Sequence, residues 1–267
     1  MLTFFLNYIK DKKISIIVYC IAAAALVWMY VAMYPSILEQ AADFQKAFSS
    51  YPTELFTALG VETLSFDTIE NFLAMENYSI MWPIMMMFLS ISLAGYGLVR
   101  EVEKGTAEII LSRPVSRLSI FFSRYLAGLV ALIIFTAVSV YSIIPFGKIY
   151  NIEYNLSHHN NIFILSVLFM FAIYSLAMML SAIFSEKGKV YGAMGGILVL
   201  MYAINIFASL KDSLENLHYA SFFYYYKFND ALIDGVLSTE SVLIFLIAGV
   251  VATAIGAWWF NKRDIAV

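Results

Sequence analysis

Charge is what this sequence has least of. Only 13% of its 267 residues are Asp, Glu, Lys or Arg, while 62% are apolar, and the mean hydropathy is +0.81. Soluble domains are about 25% charged and about 45–50% apolar. A water-soluble fold with this excess would expose large apolar patches, so the surface is built for lipid. Sixteen basic against nineteen acidic residues leave a net charge of −3, and no basic tract of five or more residues occurs. That argues against a nucleic-acid partner. A single cysteine, Cys20, excludes an intrachain disulfide and a cysteine-built metal site. It sits in an apolar run and is expected to pack as a small hydrophobe.

Catalytic patterns are also missing. No phosphate-cradling Gly-x-x-x-x-Gly-Lys-Ser/Thr loop exists, so ATP hydrolysis in this chain is not expected. No His-Glu-x-x-His pattern occurs, and no nucleophile, base and orienting acid sit together in an apolar segment, which disfavours an intramembrane enzyme. His158–His159 near Glu153 could be weighed as an outer metal site, but a polar loop is the preferred reading. His218 is read in the same way.

What is present is six long apolar windows: Ile14–Tyr34, Tyr78–Val99, Tyr125–Phe146, Ile162–Phe184, Val190–Leu210 and Val242–Phe260. A helix needs about 20 apolar residues to cross a bilayer. None of the windows contains Asp, Glu, Lys, Arg or His, and a charge at the centre would cost about 2.5–3.5 kcal/mol. Lipid offers the backbone no hydrogen-bond partners, so each window is expected as a helix. The fold class is an all-α integral membrane protein with six transmembrane helices in one transmembrane domain, 1–267.

Orientation follows from lysine and arginine. Lys10, Lys12, Lys13, Arg100, Lys104, Arg113, Arg117, Arg124, Lys187, Lys189, Lys262 and Arg263 fall on one side; Lys46, Lys148, Lys211 and Lys227 fall on the other. Both termini are therefore expected in the cytoplasm. Residues 1–13 carry Leu2, Phe5, Leu6 and Ile9 at helical spacing before Lys10, Lys12 and Lys13, which suggests a short interfacial helix. The segment 35–77 is expected outside, with amphipathic helices around Phe44, Phe48, Leu55, Phe56 and Leu59. The aromatic run Phe222–Tyr226 reads either as an outer interfacial belt or as a re-entrant element.

Several features within the spans have local readings. Pro83 and Pro145 are expected to kink the second and third spans. Gly192, Gly195 and Gly196 in the fifth span, with Gly249 and Gly256 in the sixth, suit close helix packing. Packing within the subunit is the default, and a dimer seam the alternative. Asn205 needs a polar partner. Met85–Met87 read as adaptable packing before they read as a cargo path.

The most charged stretch, residues 100–119, is the cytoplasmic elbow between spans two and three. Gly105 offers a break, Thr106 an N-cap, and Glu108 a favourable charge in the first turn. Pro114 ends the short helix, and Ser116 can cap the next one. Its ordered start and stop signals exceed what topology requires, so a docking surface for a soluble partner is the sharper reading.

The pattern Glu101-x-Glu103-x-Gly105-Thr106-x-Glu108, followed by Pro114-Val115-Ser116-Arg117, resembles the type-2 class of ABC exporter permeases. The ending Phe260-Asn261-Lys262-Arg263-Asp264-Ile265 is also similar to that family's, as is Phe223–Tyr226 through Ala231-Leu232 to Gly235. This chain has Ser221-Phe222 where family members often have proline. The resemblance implies a six-span subunit of a bacterial cell membrane, paired with a second permease subunit as a homodimer or heterodimer. It also implies a separate ABC ATPase subunit that carries ATP and Mg, with no cofactor in this chain. Glu101, Glu103, Gly105, Thr106, Glu108, Pro114, Ser116 and Arg117 would couple to that ATPase, although some of the charged ones could pair with one another instead. Ser185–Lys189 is a second contact candidate. Outward movement of an amphipathic or apolar cargo (a peptide, toxin, antibiotic or lipid-like molecule) is the expected function. A secondary transporter, or a non-transporting sensor or assembly factor, is the alternative.

Overall fold

The computed structural model describes residues 2–41, 43, 46, 65–103, 105 and 115–263, without the side chains of 212, 213 and 215. All six expected spans are helices: Leu2–Glu39, Ile69–Gly97, Arg117–Tyr150, Leu156–Ile183, Lys187–Leu210 and Thr239–Lys262. Among the described residues there is no strand. Both described chain ends lie at the same end of the bundle as the elbow, because Asp11 contacts Arg100 and Arg117 contacts Arg263. Phe44, Phe48, Leu55, Phe56 and Leu59 lie outside the described residues.

Local chemistry sets the helix ends. Thr68 Oγ1 accepts from the Asn71 N–H at 3.2 Å, Ser116 Oγ from Ser119 at 3.2 Å, and Asn155 Oδ1 from Ser157 at 3.0 Å. Each satisfies an N-terminal N–H that the helix itself leaves free. Asn151 closes the third span with φ 52°, a left-handed conformation that asparagine tolerates. The first span departs from expectation. Residues 2–13 are the opening turns of one 38-residue helix, with no glycine or proline before Pro35 to interrupt it.

Both prolines mark irregularities. The third span breaks at Ser142, between Arg117–Tyr141 and Ile143–Tyr150. Pro145 has no N–H to donate to the carbonyl four residues earlier, so the regular ladder cannot continue through this point. In the second span Pro83 opens the stretch Trp82–Gly97, directly after a π-helical segment, Ala74–Met81. The wider turns of that segment bridge the point where the proline removes a donor.

The fourth span forms the centre. In its most apolar stretch 61% of residues are buried, against 17% for the fifth span. Aromatic rings build the middle layer. Trp82 stacks on Phe135 (6.4 Å between centroids) and on Tyr226 (5.7 Å), and Tyr226 stacks on Phe169 (4.5 Å). Tyr226 and Ser166 share a hydroxyl hydrogen bond of 3.1 Å. The run Phe222–Tyr226 thus turns into the bundle, with Tyr225 and Tyr226 buried. Exposed tryptophans sit elsewhere. Trp28 donates from Nε1 to Tyr150 Oη at 3.2 Å at the end away from the elbow, and Trp258 and Trp259 sit near the elbow, with the Lys262 ammonium 4.9 Å from the Trp258 ring.

The glycines divide into two groups. A Cβ at Gly249 would collide with the Phe171 ring, and one at Gly256 would lie 3.0 Å from the Met179 Cα. Those two pack inside the subunit. Gly192, Gly195 and Gly196 have nothing within 4 Å of a Cβ, so the default reading of them as internal packing residues is corrected. Asn205 likewise has no side-chain hydrogen bond among the described residues. Gly249→Val and Gly256→Val should each lower stability by about 1–3 kcal/mol through overpacking, read as the thermal midpoint of detergent-purified protein. Gly192→Ala should leave that midpoint unchanged.

Candidate functional site

The second span stops where its backbone is met by two neighbours. The helix ends at Gly97, and a short helix, Val99–Glu103, follows after Leu98. The break frees backbone groups that must find partners. Leu98 N–H donates to Ser181 Oγ of the fourth span at 3.4 Å, and that hydroxyl donates to the Ala94 carbonyl at 2.7 Å. The Gly97 carbonyl accepts from Arg124 Nη1 at 2.6 Å.

The same Arg124 guanidinium grips Glu101 with both arms, Nη1 to Oε2 at 2.6 Å and Nη2 to Oε1 at 2.8 Å. Arg124 is 8% exposed. The planar fork matches a carboxylate in geometry, and charge-assisted pairs of this kind are the strong ones. Glu101 therefore joins the elbow to the second turn of the third span.

Other ionic links radiate from here. Glu103 pairs with Lys187 of the fifth span at 3.2 Å, half-exposed. Arg100 pairs with Asp11 of the first span at 3.4 Å and lies 4.4 Å from the Tyr96 ring, while Tyr96 Oη donates to Asp11 at 2.6 Å. Gly105 takes φ 66°, and its N–H returns to the Val102 carbonyl at 3.1 Å, which closes the short helix. At the far side of the elbow Ser116 caps the third span, as its sequence position suggests. Arg117 donates to the Arg263 carbonyl. Arg263 in turn donates to the carbonyls of Ala182 (3.0 Å) and Phe184 (2.8 Å) and to the Ser185 hydroxyl. A cation there meets the partial negative charge at the end of the fourth helix. Thr106, Glu108 and Pro114 lie outside the described residues.

Of the site residues read from sequence, Glu101, Glu103, Gly105, Ser116 and Arg117 are thus placed around one end of the bundle. Their described contacts lie within the subunit. The residues missed are Arg124, Asp11 and Tyr96. Arg124 carried a signal, a cation at the edge of an apolar window, but it counted only toward topology. Asp11 and Tyr96 carried none, because a link across 85 residues leaves no mark in local spacing.

The two carboxylates should separate under mutation. Arg124→Ala removes the buried guanidinium that grips Glu101 and satisfies the Gly97 carbonyl, and should destabilise by about 3–5 kcal/mol. Glu103→Ala breaks a half-exposed pair and should cost less than about 1 kcal/mol. Thermal midpoints of the purified variants check this. Joint removal of Glu101 and Arg124 should be milder than Arg124→Ala alone.

No curated protein sequence matches the chain. The family model described as ABC-2 family transporter protein matches residues 5–265. Six apolar helices with an ion-paired elbow between the second and third, and a match that spans nearly the whole length, lead to one statement: the chain belongs to the ABC-2 family of transporter proteins.

Proposed function

We propose that this protein is the permease subunit of an ATP-driven exporter in a bacterial cell membrane, with its elbow end and both termini in the cytoplasm. A separate ABC ATPase subunit, carrying ATP and Mg, binds the elbow. The observation that carries this reading is the anchoring of the elbow at both ends. Glu101 and Glu103 tie its near side to the third and fifth spans, and Arg117 ties its far side to Arg263 beneath the sixth. A push on the segment between Gly105 and Ser116 reaches several spans together. On this reading Glu101 and Glu103 transmit the push, and residues 106–114, including Thr106, Glu108 and Pro114, meet the ATPase.

A second permease subunit completes the membrane part. The fifth span is the least buried helix, and the open sides of Gly192, Gly195 and Gly196 allow another helix to approach closely. An apolar groove of about 360 Å³ between the second and fifth spans, lined by Pro83, Ile84, Met87, Phe88, Val199 and Tyr202, supports an amphipathic or apolar cargo.

Topology is the decisive test. In a Cys20→Ser background, Lys189→Cys should react with a membrane-impermeant maleimide only after cells are permeabilised, whereas Ser157→Cys should react in intact cells. The reverse pattern puts the elbow beyond reach of an ATPase and refutes the reading.

A further inference from the structure

The end of the bundle opposite the elbow holds a cavity of about 750 Å³, between the end of the first span, the start of the second, and the turn that joins the third to the fourth. Three tyrosines line it, Tyr34, Tyr150 and Tyr154, with three acids, Asp67, Glu70 and Glu153. Among the described residues, no lysine, arginine or histidine lines it. This is the reverse of the elbow end, where each carboxylate described above faces a cation.

Glu70 is the telling residue. It is 7% exposed, yet only its Oε1 has a hydrogen bond, from the Asn155 N–H at 2.7 Å. Its other oxygen has no hydrogen-bond partner among the described residues. His159 Nδ1 lies 3.9 Å away, but its proton goes to the Asn155 carbonyl at 3.0 Å, since a carbonyl can only accept. The carboxylate is held by one backbone N–H, and its second oxygen is open to the cavity and not sealed in the core. Asp67 accepts only from Ser65 Oγ at 2.7 Å, and Glu153 makes no hydrogen bond or ion pair among the described residues.

We propose that this cavity binds an organic cation, a protonated or quaternary amine with an apolar body. Its size suits a small molecule rather than a bare ion. Among the described residues no three His, Cys, Asp or Glu side chains converge to hold a metal, so the acids are placed around a bulky cation instead. Tyrosine rings attract a cation through their electron-rich faces, and beside carboxylates they form a common recognition surface for alkylated amines. The site lies away from the elbow and the apolar groove, and it stands whether or not the exporter reading does.

The test is calorimetric titration of the detergent-purified full chain with benzyltrimethylammonium, and with benzenesulfonate as an anion of similar size. Saturable binding of the cation alone is expected. Asp67 and Glu153 are exposed, so Asp67→Asn and Glu153→Gln should leave the thermal midpoint in place, and together they should weaken binding about tenfold. Tyr150→Leu should weaken it as well. The proposal is overturned if no saturable binding occurs, if benzenesulfonate binds equally well, or if neither the amide pair nor Tyr150→Leu changes the affinity. Displacement of the probe by calcium at one ion per chain would also overturn it, in favour of a metal.

Discussion

Lipid solvates neither a charge nor an unpaired peptide group, and this constraint arranges the whole molecule. Each crossing must be helical, and ionisable groups gather toward the two ends. Where a helix breaks within the bundle, a neighbour must supply the missing partner. The stop at Gly97–Leu98 shows this directly. Ser181 and Arg124 satisfy the freed backbone groups, and Arg124 then has a second arm to fix Glu101. The geometry of the elbow is therefore a consequence of ending a helix in a low-dielectric setting.

The two ends of the bundle solve their electrostatics differently. At the elbow, acids and cations are matched across helices, and three ion pairs together with the Arg263 side chain link the helix ends. At the opposite end the ties are mostly to backbone: His158 to the Leu232 carbonyl, Asn161 to the Gly235 carbonyl, and Tyr34 to the Phe66 carbonyl. The first arrangement ties the helix ends to one another, and the second sets three carboxylates beside a cavity that no lysine or arginine lines among the described residues.

Much of this was legible in the sequence, because hydropathy over 20 residues reports a local property. All six windows became helices, and Ser116 and Gly105 performed the capping and breaking their identities suggest. What escaped depends on contacts distant in the chain. Gly249 and Gly192 look alike in an apolar helix, and only the presence of Phe171 beside one of them separates packing from open surface. In the sequence Arg124 reads as a topogenic charge, and only the fold shows its grip on Glu101. The inward turn of Tyr226 followed from the shape of the Trp82–Phe169 stack, which no spacing rule encodes.

The exposed tryptophans limit how the protein can move. Indole rings favour the boundary between headgroups and hydrocarbon, and Trp28 marks one boundary while Trp258 and Trp259 mark the other. A piston stroke along the membrane normal would push one set into hydrocarbon and the other into water. Tilting or rotation about an axis through the fourth span keeps every ring near its preferred depth. On the exporter reading, a push at the elbow is expected to emerge as sideways rocking of helices, with the bilayer itself acting as the guide rail.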